Sequence, residues 1–488
     1  MQFDLVLRNG LAFDGSGTPP AAADVAVAGD RIAAVERIPA GRGAVEIDVR
    51  GQAIAPGFID VHTHDDRALL IAPDMAAKTS QGVTPVIAGN CGVSLAPLVL
   101  GDAQPPPPLD LIGDAGSYRF AGFGAYLDAL DAAPAAVNAA CLVGHSTLRV
   151  GAMDDLDRPA NEAELAAMRE RLRAALDDGA IGLSSGTFYP PAAAAPAGEV
   201  AELAALVGEA GGVYTTHMRD ETDRVDESLE ESFDIARRAG VPLVISHHKV
   251  AGRANHGRSR ETLPAIAAAM ERQPVGLDAY PYVAASSMLD AGRFGTAERV
   301  IVTWSQSVPE AAGRDLAEIA AEWGVPAEAA VERLKPAGGV YFLMDEEDVR
   351  RILAFPHTMI GSDGLPHDRH PHPRLWGTFP RVLGHYARDA GLFPIEEAVR
   401  RMTALPAARF GLTGRGRLAP GGFADIVVFD PETILDRATF DEPARPASGI
   451  DTVLVNGRPV WRDGAPTGER PGRALRRQEL FREEGRDG

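Results

Sequence analysis

The sequence predicts an α/β protein: a (β/α)8 barrel of the TIM type, a small discontinuous β-sandwich domain drawn from both termini, and an insertion after the seventh barrel strand. Three observations lead there. Both chain ends carry short β-like runs separated by Gly and Asn-Gly turns. Between them, eight apolar runs alternate with helical pattern. One connection, about residues 285–356, is far longer than the rest.

"FDLVLRNGLAFD", "DVAVAGDRIAAVE" and "AVEIDVRGQAI" make the N-terminal β segment, and "GRLAPGGFADIVVFD" with "IDTVLVNGRPVW" make its C-terminal counterpart. The expected divisions are 1–54 and 415–488 for the small domain, the latter with its tail, and 55–414 for the barrel. Barrel strands are read at 57–64, 83–91, 138–146, 180–186, 212–218, 241–248, 275–282 and 357–364. Their near-continuous apolar character suits parallel strands buried on both faces. Two intervening helices have legible ends. "NEAELAAMRERLRAALDDG" starts at a candidate N-cap, Asn161, and stops at Gly179; "VDESLEESFDIARRAG" stops at Gly240 after arginines in its last turn. The insertion has helical pattern of its own in "GRDLAEIAAEW". An insertion at this face of a barrel is expected to be a lid or a substrate-reading element.

Composition narrows the function. Hydrophobic residues make 45% and charged residues 24% of the 488, as in ordinary globular proteins. Two cysteines cannot build a disulfide framework, which favours a reducing compartment. "MQFDLVLRNG" has neither the basic nor the apolar part of a leader, and no apolar run reaches membrane-spanning length, so a cytoplasmic protein is expected. A net charge of −20 argues against nucleic acid and anionic membranes and leaves a small-molecule partner. An anionic substrate would then need Lys or Arg gathered inside the pocket. The oligomeric state is left open.

The chemistry-bearing residues fall at strand ends. His62 and His64 end the first strand, Cys91 the second, His145 the third, His217 the fifth, His247 and His248 the sixth, and Asp363 the eighth. Each alone has a plainer meaning: a lone free Cys is usually a small buried hydrophobe, and a strand-end His is more often a capping or core residue. In a barrel, however, the C-terminal strand ends converge on one face. Imidazole, thiolate and carboxylate are zinc ligands. Alternation says only that one of His247 and His248 points inward. Cys141, inside the third strand, keeps the core assignment.

"PGFIDVHTHDD", flanked by a terminal β domain, resembles the amidohydrolase superfamily. More narrowly, "GNCG", "THMRDE", "SHHK", "YPY", "GSDGLPHD" and "HPRLWGTFPRVLG" are similar to the N-acyl-D-amino acid deacylases, in order and on the right strands, from residue 3 to about 462. Many two-metal amidohydrolases use a carboxylated lysine at the end of strand four, but here that strand ends "SSGTFYPP". The resemblance implies that Cys91 takes this role and holds a tight zinc with His217 and His247. His62, His64 and Asp363 would then line a second, weakly filled or empty position. It also implies that Asp363 shuttles the proton from water to the leaving amine.

A product amino acid carries an α-carboxylate, which cannot be buried unpaired. Lys249, Tyr280 and Arg374 match the family's substrate-binding positions, and His145 is a candidate to polarise the carbonyl. Arg293, in the loop after strand seven, is a candidate partner for an acidic side chain, so N-acyl-D-glutamate is the favoured substrate and a hydrophobic D-amino acid the alternative. Of other readings, a cyclic-amide hydrolase of hydantoinase or dihydroorotase type would want the strand-four lysine. A non-catalytic scaffold would not need the full ligand set.

Overall fold

Eight parallel strands run in chain order around the barrel: Phe58–Asp60, Val83–Ala88, Asn138–Gly144, Gly182–Gly186, Val213–His217, Leu243–Ile245, Val275–Ala279 and Thr358–Ile360. The computed structural model describes residues 2–480, apart from the side chains at 293 and 294. Every expected barrel strand is present, but several are shorter than the apolar run that announced them. The run 241–248 keeps only Leu243–Ile245 in the ladder, and 357–364 only Thr358–Ile360. The cause lies just beyond each: His247 and Asp363 adopt left-handed backbone, φ 35° and 49°, and turn the chain out of the sheet.

The two legible helices form as expected. Asn161 caps Glu162–Asp178, accepting from the Glu164 amide while the Glu164 side chain takes the Asn161 amide, a capping box. Gly240 ends Val225–Ala239 with φ 63°, a conformation open to Gly at little cost. Ala53–Pro56 pairs with both Phe3–Ala12 and Ile426–Phe429, so strands from the two chain ends join one hydrogen-bonded set of nine. The insertion differs from its helical pattern. Besides Leu316–Trp323 and Ala327–Leu334 it contains an antiparallel sheet of Ala284–Met288, Ala337–Phe342 and Val300–Ser305. Among the described residues these strands form a sheet separate from the barrel, so nothing in a barrel periodicity announces them. Among the described residues no helix is long and apolar enough to cross a membrane.

Barrel closure is the weak point of the ladder. The eighth and first strands meet through a single bridge, Thr63 with Gly364. A buried ion cluster reinforces this seam. Lys78 Nζ, fully buried, lies 2.8 Å from both Asp60 Oδ2 and Ser362 Oγ, and 3.2 Å from Asp65 Oδ2. Asp60 Oδ1 in turn accepts from the Ser362 amide. One lysine thus ties both sides of the seam. Lys78→Met should strand two buried carboxyl groups and cost about 3–5 kcal/mol of unfolding free energy. Urea denaturation measures this, and a loss below about 1 kcal/mol would mean that the seam does not depend on the ion cluster.

Candidate metal centre and active site

The second strand ends at Ala88 and runs into Gly89-Asn90-Cys91-Gly92, a loop pressed against its neighbours. A Cβ on Gly89 (φ 81°) would stand 2.1 Å from the Leu142 carbonyl oxygen, and one on Gly92 (φ 79°) 2.8 Å from the Gly186 nitrogen. Cys91, between them, is itself left-handed at φ 53°. The fourth strand supports this loop: Ser184 Oγ donates to the Gly89 carbonyl and accepts from the Gly92 amide. A Cβ at Gly186 would lie 2.2 Å from the Cys91 carbonyl oxygen. The end of strand four is therefore filled by the cysteine loop, and a lysine at Gly186 would not fit.

Around Cys91 the strand-end groups converge into two sets that share it: Cys91, His217 and His247, and His62, His64, Cys91 and Asp363, all buried. Cys91 Sγ is 3.3 Å from His247 Nε2 and 3.1 Å from His62 Nε2, and His217 Nδ1 is 2.9 Å from His247 Nε2. His64 Nε2 approaches Asp363 Oδ1 to 3.2 Å. Tetrahedral zinc, with N ligands near 2.0–2.1 Å and S near 2.3 Å, separates its donors by about 3.3–3.6 Å. The Cys91–His217–His247 set fits that ion in donor type and approximate spacing. Burial opposes ionisation of the Cys91 thiol, yet the charges of His62 and His247 hold it well below the ordinary thiol range. His248 turns away, its Nε2 2.9 Å from Thr262 Oγ1.

Carboxylates that the motif reading missed orient these ligands. Glu221 Oε1 is 3.1 Å from His247 Nδ1 and 2.7 Å from Lys249 Nζ, and Oε2 is 3.6 Å from His217 Nε2. Asp278 accepts the His247 amide at 2.9 Å and lies 3.4 Å from His62 Nδ1. Such partners fix the tautomer and aim of a metal-binding imidazole. Asp278 had a sequence signal, a charged residue inside the apolar run "VGLDAY"; Glu221 closes the motif "THMRDE", four residues past His217, but the reading of that motif gives it no role.

Lys249, Tyr280 and Arg374 come together. The Arg374 guanidinium stands 4.5 Å and the Lys249 ammonium 5.9 Å from the centre of the Tyr280 ring. Arg374 also pairs with Asp363 Oδ2 at 2.8 Å. Burial would raise the Asp363 carboxyl, but Arg374 and His62 hold it well below the usual carboxylate range, so it stays ionised at neutral pH. His145 is not part of this group: its Nε2 is 3.0 Å from Glu199 Oε1, which also binds Arg149. Arg293 falls in Ala291–Phe294, and its side chain lies outside the described residues.

A barrel carrying a buried N and S donor set at the C-terminal ends of its strands, with an ionised Asp beside it, has the architecture of a metal-dependent hydrolase. Comparison with known proteins agrees. The profile of the Amidohydrolase family matches residues 45–329 and 276–461. The chain is 59% identical to a D-aminoacylase of Alcaligenes xylosoxydans xylosoxydans, over 97% of this chain and 98% of that one. It is 52% identical to an N-acyl-D-aspartate deacylase of the same organism, over 97% and 95%. The crystal structure of an N-acyl-D-glutamate deacylase from Bordetella bronchiseptica, complexed with zinc and a phosphonate mimic of the tetrahedral intermediate, is 47% identical. It superposes with a TM-score of 0.94, covering 98% of this chain and 100% of that one. The chain belongs to the amidohydrolase family, in its N-acyl-D-amino acid deacylase branch.

Two outcomes follow from the donor geometry. Cys91→Ala should lose the tightly held zinc, read as metal per chain after dialysis; full zinc content in that variant would exclude the thiolate as a ligand. Glu221→Gln should keep the ligands but lower zinc affinity about 10–100-fold in chelator competition. Unchanged affinity would show that Glu221 does not orient the two histidines.

Proposed function

We propose that this protein hydrolyses the amide bond of N-acyl-D-amino acids, releasing a carboxylic acid and the free D-amino acid, with one zinc ion held by Cys91, His217 and His247. His62, His64 and Asp363 line a second, weaker position that shares Cys91. The observation that carries the reading is the placement of Lys249, Tyr280 and Arg374 beside the shared donor cluster. A carboxylate-gripping group next to a metal-ligand set suits an amide whose nitrogen belongs to an amino acid.

Zinc bound there would lower the pKa of water and polarise an amide carbonyl. The chain's own residues supply the rest. Arg374 keeps Asp363 ionised and ready to accept a proton from the attacking water. Asp363 then delivers that proton to the departing amine nitrogen. Lys249 and Arg374 neutralise the α-carboxylate, and both cations lie near the Tyr280 ring. Glu221 ties Lys249 to His247, so the carboxylate grip and a metal ligand share one support. The D preference and the linear amide are supported by kinship with D-aminoacylase and the N-acyl-D-aspartate and N-acyl-D-glutamate deacylases.

The test is amine release from N-acetyl and N-formyl derivatives of D- and L-Leu, Met, Asp and Glu. Cleavage of D derivatives is expected, with L derivatives slower by about two orders of magnitude. Equal cleavage of both series, or action on cyclic amides alone, would overturn the reading. Asp363→Asn should lower kcat roughly 10²–10⁴-fold while zinc stays on the Cys91–His217–His247 set; a loss under tenfold would point to another base.

A further inference from the structure

Above the metal site lies a second, larger space. The pocket lined by His64, Cys91 and Asp363 holds only about 20 Å³, whereas the chamber outside it holds about 660 Å³. The two share Leu111, and the adjacent prolines Pro107 and Pro108 line the outer and the inner space respectively. Pro105, Pro106, Trp304 and Pro336 give the chamber apolar walls, brought by the loop after strand two and by the insertion. A two-carbon acyl group would leave most of it unfilled.

Two carboxyl groups in this lining each keep one oxygen without a hydrogen bond. Asp368, 8% exposed, has Oδ2 without a hydrogen bond, and Asp110 has Oδ1 without one. Burial raises Asp368 to about 7, outweighing a Thr303 hydrogen bond and the charge of Arg374, and raises Asp110 to about 6, outweighing local backbone hydrogen bonds. Neither arginine of the lining pairs with these two carboxyl groups: Arg67 faces Asp114, a third carboxylate of the lining, at 3.8 Å, and Arg369 donates to the Pro309 carbonyl. His367, lowered by burial to about 4, is neutral at neutral pH. The chamber, open to solvent on one side, therefore offers carboxylate acceptors with free hydrogen-bonding capacity between apolar walls, the surroundings that suit an alkyl chain ending in a protonated amine.

We propose that the chamber is an acyl-group subsite and that Asp368, with Asp110, makes it favour acyl groups ending in a primary amine. The proposal rests on the deacylase reading. With the α-carboxylate held at Lys249, Tyr280 and Arg374, the acyl group extends past the metal cluster toward the Pro108–Leu111 wall and into the larger space.

The experiment compares matched pairs on one D-amino acid: N-pentanoyl against N-(4-aminobutanoyl), and N-heptanoyl against N-(6-aminohexanoyl), with N-acetyl as reference. In the wild type the amine should raise kcat/KM about tenfold over its hydrocarbon partner for at least one chain length. In Asp368→Asn that ratio should fall to about one. The ratio is taken within a single preparation, so partial misfolding does not move it, and Asp110→Asn gives an independent second reading. Ratios near one in the wild type, or an amine preference that survives both variants, would overturn the proposal. A variant effect on N-acetyl-D-lysine against N-acetyl-D-norleucine, with none on the acyl pairs, would also overturn it by assigning the chamber to the amino-acid side chain. Failure of N-acetyl-D-amino acids to be cleaved would instead overturn the deacylase reading. Calorimetric binding of 6-aminohexanoate against hexanoate to the zinc-loaded wild type and Asp368→Asn then tests the chamber without turnover. Equal affinities in the wild type overturn the proposal.

Discussion

A thiolate buried in the mouth of the barrel is the constraint around which the site is arranged. Cys91 is 3% exposed. A charge in that position must be matched by cationic or hydrogen-bonding partners, because desolvating it alone would return it to the neutral thiol. The match comes from imidazoles on strands one, five and six, and bringing them within reach of one sulfur requires unusual backbone. Cys91, His247 and Asp363 all have positive φ, three of the seven non-glycine residues described with that conformation. Each such residue costs on the order of 1–3 kcal/mol unless its surroundings over-determine it. They do so here: Gly89 and Gly92 let the cysteine loop rest on strands three and four, and the His247 amide is held by Asp278.

The support continues outward as alternating charge. His217 and His247 lead to Glu221 and from it to Lys249. His62 and the His247 amide lead to Asp278, and Asp363 leads to Arg374. Lys78 with Asp60 and Asp65 closes the seam behind the first and eighth strands, whose ends carry His62, His64 and Asp363. In a chain of net charge −20 these buried cations are few and specifically placed. Two of them beside the donor cluster, Lys249 and Arg374, are already paired with Glu221 and Asp363. A carboxylate bound as proposed would enter a network that already balances its charges, and its gain would be the difference between two sets of ion pairs.

The absent strand-four lysine has a spatial counterpart. Ser184 and Gly186 leave room for the cysteine loop, and the thiolate stands among the imidazoles that would share a bridged metal. Phe188 and Tyr189, just after that strand, pack their rings against His217 with centroids 5.3 and 4.7 Å away. Strand four has exchanged a ligand for shape: it contributes the wall that holds two ligands in place.

By itself the sequence determined the architecture and the cast of residues. Apolar runs, helix ends at Asn161, Gly179 and Gly240, and β-like termini are local signals, each spelled in a few consecutive residues, so eight strands and the residues at their ends were readable. The family motifs named Cys91, the histidines, Asp363, Lys249, Tyr280 and Arg374. Tertiary structure decided what locality could not. Two adjacent histidines of one strand are equivalent to any periodicity, and a left-handed turn sends His247 inward while His248 reaches Thr262. His145 ends its strand as the others do, but Glu199, 54 residues away in a different helix, claims it. The insertion's antiparallel sheet depends on Ala337–Phe342 meeting Ala284–Met288, about fifty residues earlier, and Val300–Ser305. In each case the deciding partner is distant in the chain, and its energy exists only once the backbone has brought the two together.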